Sequence, residues 1–202
     1  MDRCSMRVGV LALQGAFAVH EQRLAELGAR TSQVRQPKDL EAVDALVLPG
    51  GESTTMSRLL TTSGLFDALK ARLADGMPVF GTCAGMILLA TDVVDGRPDQ
   101  RSLGAVDLSV RRNAYGRQVD SFETDLAVSG LDEPFHAVFV RAPQVQSHGP
   151  TVEVLATHAG TPVLLREGAV MVAAFHPELT PDARLHAMFM QLATSSSPIT
   201  EV

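Results

Sequence analysis

The sequence predicts an α/β protein with a mixed, largely parallel central sheet flanked by helices and with additional antiparallel strands. Three observations lead there. The first ninety residues hold three apolar strand-like runs, each followed by a helix-like segment, and the second run ends in the glycine pair Gly50-Gly51. Beyond Ala90 the pattern changes to short apolar or alternating runs separated by turn signals. Parallel neighbours require a crossover, and that crossover is usually a helix, so repeated strand-loop-helix units imply a parallel sheet with helices on its faces.

Val8 to Leu13 is a nearly continuous apolar run of the kind that is buried on both sides of a sheet. It passes through Gln14-Gly15 into a segment with Phe17, His20, Leu24 and Leu27 at helical spacing, stopped by Gly28. A polar link containing Pro37 leads to a second strand, Ala45 to Leu48, which ends in Pro49-Gly50-Gly51-Glu52-Ser53-Thr54-Thr55. Adjacent glycines at a strand end let backbone amides approach a ligand closely. Leu65 to Ala74 reads as a helix with Leu65, Leu69 and Leu73 on one stripe, closed by Gly76. The third unit is Pro78-Val79-Phe80-Gly81-Thr82-Cys83-Ala84-Gly85-Met86-Ile87-Leu88-Leu89, a strand, a sharp turn and a helix with Cys83 at the turn. Ligands of such sheets bind beyond the carboxyl ends of the strands, which is where Gln14, Gly50-Gly51 and Cys83 fall.

Asp92 to Arg101 reads as a polar loop. Strand runs follow at Val119 to Leu126, Ala137 to Val140, Val152 to Ala156, Val163 to Leu165 and Val170 to Phe175. They read as a mostly antiparallel region appended to the α/β half. Leu185, Met188, Phe189 and Leu192 make the stripe of a final helix, and residues 195–202 read as a flexible tail after a single domain over 1–194.

With 202 residues and 46% apolar content, the chain is long enough for one sizeable core. A net charge of -6 argues against a nucleic-acid surface. Two cysteines, Cys4 and Cys83, do not make a disulfide framework and suit a reducing compartment. The start lacks the apolar core of a signal peptide, and the longest apolar run, Ala169 to Phe175, is too short to span a bilayer. A cytoplasmic protein with no membrane partner is expected.

The chemistry points to Cys83. A Gly-x-Cys-x-Gly turn between strand and helix has the form of a nucleophile elbow, and the start of the helix favours negative charge beside it. The plain alternative is a buried structural cysteine. His176 and Glu178, after the apolar run to Phe175 and linked by Pro177, supply a base and a carboxylate to orient it. The remaining five histidines, His20, His136, His148, His158 and His186, read as surface or hydrogen-bonded core residues.

Gly81-Thr82-Cys83-Ala84-Gly85 with a distant His176-Pro177-Glu178 resembles the class I, triad-type glutamine amidotransferases. The closer resemblance, over about Val8 to Met190, is to the glutaminase subunits of pyridoxal 5'-phosphate synthase. It rests on Leu13-Gln14-Gly15, Leu48 to Met56, Arg112-Asn113 with Gly116 to Glu123, Val140-Arg141-Ala142-Pro143 and Phe175 to Thr180. The resemblance implies a flavodoxin-like three-layer fold. It also implies that Cys83 attacks the side-chain amide of L-glutamine, with His176 and Glu178 completing the triad. The oxyanion would be held by the N–H groups of Ala84 and Gly51. Glutamine binding would fall to Gly51, Glu52, Ser53, Arg112, Val140 and Arg141, with Gln14 and Gly50 in support. It further implies a separate synthase subunit that receives the ammonia, and it calls for no cofactor and no metal; a further hypothesis is that the flexible Gly50-Gly51 peptide swings into its oxyanion-binding orientation only when that subunit docks.

Other assignments remain open at this stage. Glu52 can instead be a first-turn helix acid beside Ser53 as the cap, and Arg111 reads as a solvated charge. Ala174 stands where a serine is common in the family, the Gln144 to Pro150 loop departs from the pattern, and Cys4 lies outside the resemblance. Two alternatives to the main functional reading are a glutaminase subunit for another synthase and a non-catalytic regulatory protein on the same fold.

Overall fold

The computed structural model describes residues 6–112 and 121–196. Cys4, Asn113, the 116–120 part of the Gly-Arg-Gln-Val-Asp-Ser-Phe-Glu stretch, the start of the expected strand at Val119 and residues 197–202 lie outside the described residues. The first half runs β1 (Arg7–Leu11), α1 (Phe17–Glu26), β2 (Arg30–Val34), α2 (Pro37–Glu41), β3 (Ala45–Leu48), α3 (Ser53–Thr62), α4 (Leu65–Ala74), β4 (Val79–Thr82) and α5 (Ala84–Leu89). The second runs β5 (Ala90–Val93), β6 (Val106–Arg111), β7 (Ser121–Leu126), β8 (Phe135–Val140), β9 (Gln144–His148), β10 (Glu153–His158), β11 (Thr161–Glu167), β12 (Val170–Ala173) and α6 (Arg184–Ser196).

Seven strands form the central sheet in the order β10-β11-β12-β4-β3-β1-β2. The five from β12 to β2 are parallel, and β11 and β10 extend the sheet antiparallel. From β2 through β1, β3 and β4 this is the flavodoxin-like strand order. Every residue of β3, β4 and β12 is buried. A strand buried along its whole length needs cover on both faces, and the helices provide it. One group, α1 with α6, packs on β1, β2 and β4, and the other, α2 to α5, places α5 against β3, β4 and β12.

The region after Ala90 is mostly antiparallel, as expected, but the expectation that it is appended to the α/β half is corrected, since β10, β11 and β12 join the central sheet. β12 is a parallel member of the central sheet, seated beside β4, and only β5-β6-β9 and the β7-β8 hairpin form sheets of their own. Nothing in the Val170 to Phe175 run distinguishes a parallel partner from an antiparallel one, because fully buried strands of both kinds are uniformly apolar. β2 reads as a polar link in sequence because it is an edge strand in which only Val34 is buried. α3 is likewise polar apart from Met56, Leu59 and Leu60, and α6 continues through Ser196. Among the described residues, no helix is long and apolar enough to cross a membrane.

Candidate active site

Cys83 occupies the single position between β4 and α5, with φ 49° and ψ −102°. A non-glycine residue held there stores strain that the surrounding structure must over-determine, as is usual where a side chain is presented for chemistry. The flanking glycines work differently from the sequence expectation. Neither Gly81 nor Gly85 has a positive φ; the unusual dihedral falls on the cysteine itself. A Cβ on Gly85 would lie 2.2 Å from the Leu48 carbonyl oxygen, and one on Gly81 2.5 Å from Leu89 Cδ1 and 2.8 Å from the Gly85 carbonyl carbon. Both glycines therefore let α5 lie backbone to backbone against the sheet.

His176 reaches Cys83 because β12 and β4 are parallel neighbours in register, Ala173 opposite Thr82. The Cys83 N–H donates to the Ala173 carbonyl at 2.8 Å, so both residues leave the same sheet edge side by side. Phe175 then packs between Phe135 and Phe139, with ring centroids at 6.0 and 5.3 Å, and the His176 N–H donates to the Val138 carbonyl at 2.9 Å. These contacts turn the imidazole toward the sulfur. Pro177 opens a 3-10 turn, Pro177–Leu179, that carries Glu178 with its side chain fully buried. His176 Nδ1 donates to Glu178 Oε1 at 2.8 Å, which leaves Nε2 free for proton exchange with the thiol. Burial opposes a charged imidazole, but the Cys83 sulfur and the Glu178 carboxylate outweigh it and raise His176 to about 10. Burial also pushes Glu178 upward, yet the His176 hydrogen bond and the facing histidines hold it below its usual range.

Behind Glu178 the structure places two histidines that the sequence gives as bland. His20 sits on the buried face of α1, with Nε2 3.3 Å from Glu178 Oε2 and 3.4 Å from Thr82 Oγ1, and Nδ1 3.0 Å from His186 Nε2 on α6. Burial lowers the pKa of His20, and burial followed by the neighbouring His20 lowers His186 to about 3. Both are therefore neutral in the folded protein near pH 7. In the unfolded chain they titrate at their ordinary values, so below about pH 6.5 the unfolded state binds more protons and stability falls as the pH falls. A fully unshared proton changes the unfolding free energy by about 1.4 kcal/mol per pH unit. Urea titrations between pH 7 and pH 4 are expected to show this acid loss, and His186→Gln is expected to make its slope shallower.

The rim is built by α3 and β6. Glu52 is itself the N-cap of α3 and Ser53 its first residue, which corrects the alternative that placed Glu52 in the first turn beside Ser53 as the cap. Its carboxylate accepts from the Thr54 N–H at 3.0 Å and from the Thr55 N–H and hydroxyl, both at 2.7 Å. Burial opposes the charge, but these bonds from Thr55 and Thr54 hold Glu52 at about 2. Arg112 donates from Nη1 to Thr54 Oγ1 at 2.8 Å and to Gln100 Oε1 at 2.5 Å, and its Nη2 pairs with Glu52 at 3.3 Å. Gln100 in turn donates to Ser53 Oγ at 3.3 Å. Gln100 and Thr54 carry no sequence signal for this role, since a polar loop residue and a first-turn threonine have many other uses. Ala84 opens α5, where the first N–H groups have no acceptor within the helix.

Gly15, Gly50, Gly51, Glu52, Ser53, Cys83, Arg112, Val140, Arg141 and His176 share one open pocket of about 300 Å³, at the small end for ligand sites and suited to an amino acid. Gln14 lies beside Gly51, its Oε1 buried without a hydrogen-bond partner among the described residues. Arg141 is exposed, and like Cys83 it has a positive φ, 45°. With Arg112 as the cation most firmly fixed at the rim, Arg112→Met is expected to raise the KM for a carboxylate-bearing substrate by roughly 10- to 100-fold, the worth of one lost charge-assisted contact. Because that contact exists before and during reaction, kcat should stay within a few-fold in steady-state assays.

Residues 10–195 match the model of the SNO glutamine amidotransferase family. A pyridoxal 5'-phosphate synthase subunit PdxT from Frankia alni is 56% identical over 191 residues, covering 94% of this chain and 96% of the relative. The PdxT subunit of Thermosipho africanus is 52% identical over 187 residues, covering 93% and 98%. Among solved structures, a glutamine amidotransferase is similar with a TM-score of 0.88 at 50% identity, covering 93% of this chain and 98% of that one. A putative GMP synthase subunit from Thermoplasma acidophilum, at a TM-score of 0.67 and 18% identity over 95% of both chains, shares the fold.

Proposed function

The chain belongs to the SNO glutamine amidotransferase family, and on that premise we propose that it hydrolyses L-glutamine to L-glutamate and ammonia for a pyridoxal 5'-phosphate synthase. The observation that carries the proposal is the placement of His176 between the Cys83 sulfur and the Glu178 carboxylate at the floor of a pocket sized for one amino acid.

Each group has a role. Cys83 Sγ bonds to the side-chain carbonyl carbon of glutamine, and the oxygen takes up negative charge facing the N–H groups of Ala84 and Gly51. Preorganised donors at that position are typically worth about 3 kcal/mol of barrier each. His176 passes the thiol proton to the departing nitrogen, the carbon–nitrogen bond breaks and ammonia leaves a glutamyl thioester. Water, deprotonated by the same imidazole, then attacks the thioester, and glutamate departs as the thiol is restored. Glu178 keeps the Nδ1 proton in place throughout. Glu52, Ser53, Arg112, Val140 and Arg141 hold the amino-acid end of the substrate, with Gln14 and Gly50 supporting the Gly51 turn.

The Gly50-Gly51 loop lacks the lysine and spacing of a phosphate-binding loop, so the carbon chemistry belongs to a separate synthase subunit that takes the ammonia directly. The test is glutamate release from glutamine, with and without that subunit, for the parent and for His176→Asn. Release that the partner accelerates and His176→Asn abolishes is the expected result. No release from the parent in either condition would overturn the proposal.

A further inference from the structure

Glu178 presents two oxygens, and the triad uses one. Oε1 accepts the His176 proton at 2.8 Å, whereas Oε2 is buried and has no well-aligned hydrogen-bond partner among the described residues. His20 Nε2 lies 3.3 Å from it. A buried carboxylate oxygen left bare is costly, so a donor in this position matters to where the carboxylate sits.

The protons on the two histidines can be assigned by elimination. His20 Nδ1 and His186 Nε2 are 3.0 Å apart, and one of them must donate. If His20 donates from Nδ1, its Nε2 turns a lone pair on the carboxylate, and the buried His186 Nδ1, which has no partner, becomes an orphaned N–H. If His186 donates instead, His20 Nε2 carries its proton into the space shared by Glu178 Oε2 at 3.3 Å and Thr82 Oγ1 at 3.4 Å, and only an acceptor is left unpaired. Orphaned buried donors are rarer than orphaned acceptors, so the second arrangement holds. It gives a directed series from α6 through α1 to the triad: His186 to His20, His20 to Glu178, and His176 to Glu178 from the other side.

We propose that His20, itself oriented by His186, is a positioning residue for glutamine hydrolysis: its Nε2–H anchors the second oxygen of Glu178 and so fixes the plane in which the carboxylate meets His176. This rests on the glutaminase reading above. It also explains why two uncharged histidines lie fully buried between α1, α6 and the sheet, where aliphatic side chains would pack at less cost.

The test compares His20→Gln with His20→Asn in the full chain together with its synthase partner. A glutamine amide reaches about where Nε2 lies and can still donate to Glu178; an asparagine amide stops near Nδ1 and reaches only His186. His20→Asn is expected to lower kcat by about 10- to 100-fold, the usual cost of losing a group that orients a reacting side chain. KM for glutamine should stay within about twofold and His20→Gln should recover most of the loss. Parent-like kcat in both variants would overturn the proposal, as would equal losses that follow their thermal unfolding temperatures. If His20→Asn does not fold, His186→Leu is read in the same way, with lowered kcat at unchanged KM expected and parent kcat contradicting. A parent that releases no glutamate would sink the glutaminase reading instead. The rate of Cys83 alkylation by iodoacetamide then decides about His20: slower in His20→Asn than in His20→Gln supports its role, and equal rates refute it.

Discussion

Cys83→Ser is expected to slow glutamate release by about 10,000-fold or more while leaving the unfolding transition where it is in the parent. The substitution exchanges one atom in a side chain that faces His176 and whose thiol donates weakly to the Val140 carbonyl at 3.9 Å. The backbone strain at φ 49° is the same for either residue, so the fold has no reason to respond. The chemistry does. Removing a covalent nucleophile from a working triad costs about as much as removing the whole triad, on the order of a millionfold in the best-studied serine case. A glutamate-release assay with a circular dichroism melt separates the two effects. A cysteine with a purely structural or sensing role would leave turnover unchanged.

Gly50→Ala carries the second largest expected effect, and here the cause is steric. A Cβ at residue 50 would lie 2.4 Å from His176 Cε1, 3.0 Å from its Nδ1 and 3.4 Å from Cys83 Cβ. The added methyl therefore falls between nucleophile and base and pushes the imidazole off both the sulfur and Glu178. A displacement of about 1 Å in a catalytic group is enough for roughly a 100-fold loss, and this one disturbs two contacts at once. The expected result is a kcat at least about 100-fold below the parent with the protein still folded, because the clash falls mainly on the His176 side chain at the pocket wall. Gly15 is the complementary case. Its Cβ would lie 1.8 Å from the Gly50 carbonyl oxygen, and its φ of 91° already disfavours any side chain. The two glycines together leave room for one peptide in a narrow gap, which is why the first and second strand ends both pass through glycine.

What sequence conveys about this site depends on whether a residue's role is local. Cys83 is legible because a strand, a small-residue turn and a helix follow each other without a break, and the consequence of that order is the elbow. His176 and Glu178 are legible as a pair two residues apart after a strand. Their meeting with Cys83 comes from a register, Ala173 beside Thr82, that no local pattern encodes. His20 shows the opposite limit. It falls on the stripe Phe17, His20, Leu24 and Leu27, where a histidine has the same spacing as a packing residue, and only the fold reveals that a carboxylate lies opposite. Gln100 is harder still, since it reaches Arg112 from a loop without any periodic signal. The edge strand β2 and the polar helix α3 escape notice for the same reason: with one face or less in the core, their apolar positions are too few to mark a period.

The most direct measurement is mass spectrometry of the chain after exposure to a chloroketone analogue of glutamine, comparing the parent with His176→Asn. A nucleophile activated by its neighbour in a glutamine-sized pocket should give one adduct, on Cys83, formed rapidly in the parent, far more slowly in His176→Asn, and suppressed by glutamine. An adduct that forms at the same rate in both proteins, or that lands anywhere but Cys83, would contradict it.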